Sequence, residues 1–283
     1  MAFTLLASLY SKFLLSGLLF YTGSVATPVA SDAAAKDKND PAKATTAAAA
    51  TTAPATSTAL ITASSLKGID VSRWQQEVNW DMVKEADITF AFVKATQNDF
   101  SQDAYFHRNW EETKRVGIKR GAYHFFIPNA SAQGQVNMFT STVRLEAGDM
   151  PPVLDVEVTA PNMSGEELRE NIRIWLEGVT AYYGVKPIIY TNQNYYRRWL
   201  KGHFTEYTFW LARYNTIEPD IHHTDKWMFW QYSDRGTIPG IKAAVDMNFF
   251  AGDLNSLQEL CYPGFIAQDE NPLLNLKHMH PLQ

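Results

Sequence analysis

Eight short apolar runs alternate with amphipathic stretches from residue 66 onward, and this order constrains the fold more than any other feature. The runs predict strands at 67–72, 88–95, 119–126, 151–157, 186–191, 208–213, 228–233 and 243–249. The amphipathic stretches predict helices at 79–86, 103–117, 131–146, 164–184 and 193–202. Strand and helix alternate five times, and three strands then follow. This order favours a parallel α/β sheet that is covered by helices and closed into a barrel whose last part lacks helices.

The residues before this pattern do not resemble a folded domain. A short apolar run follows Lys12, and the tripeptides at 24–26 and 28–30 match the small-residue site at which export signals are cleaved. Because the run is short for a membrane span, we expect residues 1–30 to be an export signal peptide. The alternative is an uncleaved anchor that tethers the protein to a membrane. Residues 31–65 are rich in Ala, Thr and Pro and predict a flexible linker.

The remaining chain is predicted to form one domain at 66–260 and a short tail at 261–283. A hydrophobic content of 46% is ample for a single large core. Cys261 is the only cysteine, so an intramolecular disulfide is excluded. The formal net charge of −5, without a cluster of Lys and Arg, argues against a nucleic-acid partner. We expect an exported monomer in the bacterial periplasm, in the cell envelope or outside the cell.

Two acids interrupt the apolar run PPVLDVEVTAP at 151–161. Asp155 and Glu157 are two positions apart, so on a strand they share one face, with Cα atoms about 6–7 Å apart. Carboxylates this close raise each other's pKa, and one can hold its proton near neutral pH. A protonated carboxyl beside an ionised one is what glycosidic bond cleavage requires. The alternative is a pair of structural ion-pair partners at a strand end.

Polar and aromatic side chains recur at the carboxyl end of nearly every predicted strand, where barrel enzymes place their sites. They are Asp70, Trp74, Lys94, Gln97, Tyr123, His124, Asp155, Glu157, Tyr190, Asn192, Trp210, Tyr214, Trp230, Gln231, Asp246 and Asn248. Aromatic rings suit the C–H faces of sugars, while acids and amides bind sugar hydroxyls. His124 is expected to be a hydrogen-bonded wall residue, and Lys94 either an ion-pair partner of an acid or a substrate contact. No spacing of His, Cys or acids predicts a metal site.

Several of these segments together resemble glycoside hydrolase family 25, the Chalaropsis-type lysozymes or N-acetylmuramidases. The matching segments are GIDVSRWQ (68–75), FVKAT (92–96), GAYHFF (121–126), PVLDVE (152–157), IIYT (188–191), WLARY (210–214), WQYS (230–233) and VDMNFF (245–250). The resemblance extends over about residues 66–256 in the family's order. It implies a modified TIM-like barrel, (β/α)5(β)3, and cleavage of the β-1,4 bond between N-acetylmuramic acid and N-acetylglucosamine in peptidoglycan.

The resemblance also implies roles for particular residues. Glu157 would be the proton donor, Asp155 would orient and stabilise, and no metal or organic cofactor would be needed. The other acids of the family's site match Asp70 and Asp246. Substrate-binding positions would be Tyr123, Tyr190, Trp210, Trp230, Gln97 and Asn192. The chain departs from the family at Gln97, where Glu is usual, and at Asn98, where Gly is usual.

Two other functions remain open at this stage. A peptidoglycan-binding module could keep the barrel and lose catalysis, with Gln97 as the symptom. A hydrolase of another amino-sugar polymer, such as chitin, would use the same acids, because pocket details decide specificity. The presence of Asp70, Asp155, Glu157 and Asp246 together favours an enzyme.

Overall fold

The computed structural model describes residues 66–214 and 217–264. The predicted leader (1–30), the predicted linker (31–65) and residues 265–283 of the predicted tail lie outside the described residues, so these assignments remain predictions. The strands are β1 (Leu66–Val71), β2 (Phe90–Gln97), β3 (Ser101–Gln102), β4 (Lys119–Phe125), β5 (Val153–Asp155), β6 (Ile188–Asn192), β7 (Thr208–Ala212), β8 (Lys226–Gly236) and β9 (Val245–Phe250). The helices are α1 (Trp80–Glu85), α2 (Phe106–Arg115), α3 (Ala132–Thr142), α4 (Gly165–Tyr183), α5 (Gln193–Tyr195) and α6 (Leu254–Leu260).

Eight of the strands close into a barrel in the order β1-β9-β8-β7-β6-β5-β4-β2, because β1 also pairs with β2. The short β3 forms a hairpin with the end of β2. The predicted modified TIM-like barrel is thus confirmed, with five β/α units followed by three strands. The sheet is not wholly parallel as predicted, since β9 runs antiparallel to β1 and to β8. The connection from β8 to β9 spans only 237–244, which is too short for the crossover that a parallel strand needs.

Two apolar layers follow from the alternation of side chains along the strands. One layer fills the barrel and contains Phe90, Phe92, Val153, Trp210, Phe229 and Phe250. Phe92 and Trp210 stack there with ring centroids 4.4 Å apart. The other layer lies between the barrel and its helices and includes Trp80, Trp110 and Trp175. The lower barrel is therefore a packed core, and only its mouth is polar.

The last described helix, α6, was not predicted. Asp253 caps it, since its Oδ1 accepts from the Ser256 amide at 2.8 Å. Leu257 and Cys261 pack with Phe250 in the layer that fills the barrel. Because β9 runs antiparallel, Phe250 lies at the amino-terminal end of the other strands, and α6 closes the barrel there.

The predicted helix at 164–184 is confirmed, and both of its ends are capped. The Ser164 hydroxyl accepts from the Glu167 amide at 3.1 Å, and Gly184 ends the helix with a φ of 74°. The predicted helix at 193–202 is less regular, because α5 passes directly into one π-helical turn at Tyr196–Leu200. None of the helices in the described part of the chain is long and apolar enough to cross a bilayer.

Candidate active site

The acid pair lies at the carboxyl end of β5. Val153 belongs to the layer inside the barrel and Leu154 to the layer outside it, so Asp155 points inward. The strand ends at Asp155, two residues earlier than predicted, and Glu157 lies just beyond it. Val156 packs in the outer layer, so Glu157 still points to the same side as Asp155. The two carboxyl groups hydrogen-bond to each other.

This hydrogen bond requires a proton in the pair. Burial raises the pKa of both acids, and the charge of Glu157 raises the pKa of Asp155 further. The hydrogen bond itself raises the pKa of Asp155 and lowers that of Glu157, so without substrate the proton favours Asp155. Asp155 is only 5% exposed, whereas Glu157 is half-buried at the mouth. A proton donated to a ligand would therefore pass along this bond to Glu157, the more accessible group.

A second acid pair lies across the barrel mouth. Asp70 on β1 and Asp246 on β9 are directly paired in register and hydrogen-bonded. Burial raises the pKa of Asp70 to about 6, although hydrogen bonds to its carboxylate oppose the shift. Burial, and then the charge of Asp70, raise the pKa of Asp246 to about 9. At neutral pH Asp246 is thus protonated and Asp70 mostly ionised.

Two amides hold Asp70 in place. Asp70 Oδ2 accepts from Gln231 Nε2 at 2.8 Å and from Asn248 Nδ2 at 2.7 Å. Trp210 Nε1, which can only donate, bonds Asn248 Oδ1 at 2.8 Å and so fixes which way that amide faces. The Tyr190 hydroxyl donates to Gln231 Oε1 at 2.8 Å. This network positions one carboxylate, and the residue types that build it were all visible at the strand ends.

Two of the predicted substrate-binding residues, Trp210 and Trp230, are only 2% exposed. Trp210 lies inside the barrel beneath the mouth. Trp230 neighbours the inward-facing Gln231, so it points to the outside of the barrel, where Nε1 donates to the Arg213 carbonyl at 2.9 Å. Tyr190 is 6% exposed and its hydroxyl is bonded as above. Trp210, Trp230 and Tyr190 therefore do not form an open aromatic surface for substrate. Their buried rings pack and hydrogen-bond beneath and behind the barrel mouth.

The other predicted binding residues lie at the mouth. Tyr123 is half-buried, and burial raises the pKa of its phenol well above the ordinary value. Asn192 ends β6 and caps α5, since its Oδ1 accepts from the Tyr195 amide at 2.9 Å. Gln97 ends β2, and its Oε1 accepts from Lys94 Nζ at 2.9 Å. Asn98 follows with a φ of 59°, a left-handed conformation in which Asn replaces the glycine usual at this position.

Exposed aromatic residues occur at the mouth on other strands than predicted. Trp74 after β1, Phe100 after β2 and Tyr214 after β7 are 61%, 75% and 51% exposed. Trp74 and Tyr214 were recognised at strand ends but not assigned to binding, and Phe100 was missed. In the order around the barrel, β2 and β7 are opposite each other, with β5 on one side between them and β9 on the other. The exposed rings thus mark the two ends of a line that passes between the acid pairs.

His124 lies behind the site. Its Nδ1 is 2.7 Å from Thr96 Oγ1, its Nε2 is 3.0 Å from Gln135 Oε1, and its ring stacks on Trp175. Burial lowers the pKa of His124 to about 3, so the ring is neutral. The expected wall role is confirmed. Within 66–214 and 217–264, no three His, Cys, Asp or Glu side chains are arranged to hold a metal ion.

Comparison with known proteins agrees with this geometry. Residues 69–241 match the family model of glycosyl hydrolases family 25. The chain is 44% identical over 199 residues to the uncharacterised protein YegX of Escherichia coli (strain K12), covering 69% of this chain and 72% of YegX. It is 34% identical to lysozyme M1 of Streptomyces globisporus, covering 70% of this chain and 71% of that protein.

Solved structures agree as well. The bacterial lysozyme from Streptomyces coelicolor superposes with a TM-score of 0.67 at 31% identity, covering 71% of this chain and 99% of that chain. The family 25 glycosyl hydrolase from Bacillus anthracis superposes with a TM-score of 0.65 at 28% identity, covering 69% and 93%. The family match covers more than half of the sequence, and the matched residues 69–241 include most of the barrel strands. The chain therefore belongs to glycosyl hydrolases family 25 and is a glycoside hydrolase of the lysozyme type.

Proposed function

We propose that this enzyme hydrolyses the β-1,4 bond between N-acetylmuramic acid and N-acetylglucosamine in peptidoglycan, with Glu157 as proton donor and Asp155 assisting. The observation that carries the proposal is the hydrogen-bonded Asp155–Glu157 pair, which holds a proton at the mouth of the barrel. Two relatives support this choice of substrate, lysozyme M1 and the N,O-diacetylmuramidase of Arthroderma benhamiae, which is 27% identical over 218 residues.

In this mechanism Glu157 and Asp155 have different roles. Glu157 protonates the oxygen of the leaving sugar, which would otherwise depart as an alkoxide. As the bond breaks, positive charge develops on the other sugar, and the carboxylates of the site stabilise it. Asp155 Oδ1 is buried and has no hydrogen-bond partner among the described residues. We assign this oxygen to the N–H of the substrate's acetamido group, which would orient the acetamido oxygen toward the sugar carbon. Attack by that oxygen would displace the protonated leaving sugar, and a water molecule, giving a proton back to Glu157, would then open the ring so formed and complete the hydrolysis.

The glycan is proposed to lie along the line between the exposed rings. Its sugars would pack on Trp74 and Phe100 at one end and on Tyr214 at the other. A strand in this position passes between Asp155 and Glu157 on one wall and the Asp70–Asp246 pair on the other. Trp74→Ala and Phe100→Ala are expected to raise KM for long glycan strands by about tenfold and to leave kcat for short fragments nearly unchanged, since stacking contributes binding and not protonation.

The decisive experiment is digestion of purified peptidoglycan by the full chain, followed by reduction and mass analysis of the products. N-acetylmuramic acid at every new reducing end would establish the proposed bond. New N-acetylglucosamine ends would show that a different bond is cut. Chitin oligosaccharides, supplied in parallel, test the hydrolase of another amino-sugar polymer.

The alternative that the sequence left open is a catalytically impaired member of the same family that binds peptidoglycan, because Gln97 stands where the family usually has Glu. It predicts retention on peptidoglycan sacculi with no soluble products. Peptidoglycan also lies outside the bacterial cytoplasm, which supports the proposal that the protein is exported and acts in the envelope or beyond it. We also propose that it acts as a monomer. Fractionation of cells that express the full chain, followed by gel filtration, tests both points.

A further inference from the structure

Lys94 is a half-buried cation on the wall of the proposed active site. It follows the inward-facing Phe92 by two positions on β2, so its side chain enters the barrel mouth. Its Nζ is 2.9 Å from Gln97 Oε1 and lies 4.7 Å above the centre of the Phe125 ring. Phe125 is the register partner of Asp155 on the adjoining strand. Lys94 is thus two strands from the acid pair, with its charged end directed toward it.

The hydrogen-bond partner of Lys94 is neutral. An amide oxygen accepts a hydrogen bond from the ammonium group but does not cancel its charge. A glutamate at position 97, usual in the family that the sequence resembles, would form an ion pair with Lys94 at the same distance. Here the uncompensated charge acts instead on the carboxylates nearby, because interactions are weakly screened in a buried site.

Several other groups act on the same region. Asp155, Asp103, Arg73 and Glu157 influence Lys94, and Asp70 acts on the acid pair from β1. The Asp103 carboxylate is bonded to the backbone amides of Arg73 and Tyr105, both at 3.0 Å. Asp246, which is protonated at neutral pH, and the phenols of Tyr123 and Tyr190 add no full charge. Lys94 is therefore the cation that faces the pair from β2.

We propose that Gln97 sets the pH range of the enzyme by leaving the charge of Lys94 free to act on the Asp155–Glu157 pair. The proposal rests on the proposed function, because the pair must supply the proton for catalysis. A nearby positive charge favours the doubly ionised pair, so the shared proton is lost at a lower pH than it would be otherwise. In a plot of kcat/KM against pH, the fall in activity on the alkaline side (the basic limb) therefore occurs at a lower pH.

The test is the pH dependence of kcat/KM for soluble glycan strands, measured with the full chain and its variants. Gln97→Glu pairs the Lys94 charge and is expected to move the basic limb upward by about one pH unit. Lys94→Met removes the charge and should move the limb in the same direction. Gln102→Glu is the matched control, because it makes the same substitution on the same hairpin at an exposed position. Its profile should coincide with that of the unaltered protein.

Titration of the carboxyl carbons of Asp155 and Glu157 by ¹³C NMR measures the same shift without substrate. Upward shifts in Gln97→Glu and Lys94→Met, with none in Gln102→Glu, support the proposal. An active enzyme whose limb and carboxyl titration stay fixed in both variants overturns it and leaves the proposed function intact. An unaltered protein that is inactive and gains activity through Gln97→Glu also overturns it, since Gln97 would then block catalysis. If every form is inactive, the proposed function fails, and the carboxyl titration alone decides whether Lys94 acts on the pair.

Discussion

Two buried acids of the same barrel have opposite surroundings. Asp149, packed behind the barrel wall, faces Arg120, whose Nε and Nη2 lie 2.7 and 3.1 Å from its oxygens. Arg120 is 1% exposed, covers the Trp110 ring at 4.0 Å and bonds the Trp110 carbonyl. Asp155 at the mouth has a similar exposure, but the charged group that acts on it most strongly is another acid, Glu157. Asp149 is a structural acid because the bonded Arg120 balances its charge. Asp155 has no cation bonded to it, so the Asp155–Glu157 pair retains a proton that it can donate.

The largest expected effect is on catalysis at the mouth. Glu157→Gln keeps the size and hydrogen bonding of the side chain but removes the acid, so kcat should fall about 10²–10⁴-fold on peptidoglycan. The melting temperature should not fall, because a Gln side chain can keep the hydrogen bond to Asp155 and carries no charge that burial would disfavour. Product release from purified sacculi and thermal melting measure the two effects. Glu166→Gln, on an exposed turn of α4, is the control, and a loss of only a few-fold in Glu157→Gln would remove Glu157 from its role.

The second prediction breaks the compensated pair. Arg120→Met leaves Asp149 buried without its cation and should lower the free energy of unfolding by about 3–5 kcal/mol. Urea denaturation measures the loss, and the position of the activity profile on the pH axis should not change in the folded fraction. Adding Asp149→Leu to Arg120→Met should restore part of the lost stability. No recovery would mean that the pair stabilises through packing and not through charge balance.

A third prediction concerns Asp246, whose pKa is raised chiefly by burial. The pKa of Asp246 is about 9 in the folded protein against 3.8 for an unperturbed Asp, so the native state binds the extra proton between these values. The stability that this proton contributes is present below about pH 4 and is lost as the pH rises toward 9. Asp246→Asn should therefore raise the melting temperature by several degrees at pH 8 and by almost nothing at pH 4. A constant difference across this range would contradict the assignment, whatever happens to activity.

The smallest effect is expected where charges are paired in water. Arg115 forms a two-pronged contact with Asp81 at 3.0 and 2.7 Å on the protein surface, and it also contacts Glu112. These contacts lower the pKa of both acids, yet exposed pairs are screened and contribute little to stability. Asp81→Asn should leave the melting temperature within about one degree and the activity unchanged. A large loss would show that surface pairing in this protein matters as much as the buried Arg120–Asp149 contact.

The barrel and the acids were predictable from the sequence because both depend on local patterns. Alternation of strand and helix is local, and the spacing of Asp155 and Glu157 fixes a common face even though the strand ends at Asp155. The directions of the side chains on β8 were not predictable, because bulges shift the register of its pairings with β7 and β9. As a result Gln231 points into the barrel and Trp230 points out of it. The direction of β9 could have been inferred from its short connection. The helix α6 left only a weak signal, Asp253 before a short apolar segment.

Barrel closure joins the two ends of the folded chain, since β1 pairs with β9 across nearly 180 intervening residues. During synthesis β1 is the first strand to emerge and β9 the last, so the edge of β1 that pairs with β9 stays unpaired until residues 245–250 have left the ribosome. Contacts of such sequence separation slow folding, because a long loop must close before they form. The Asp70–Asp246 pair sits on this seam. One half of the polar mouth therefore exists only after the final strand is in place, and a chain shortened before residue 245 would lack it altogether.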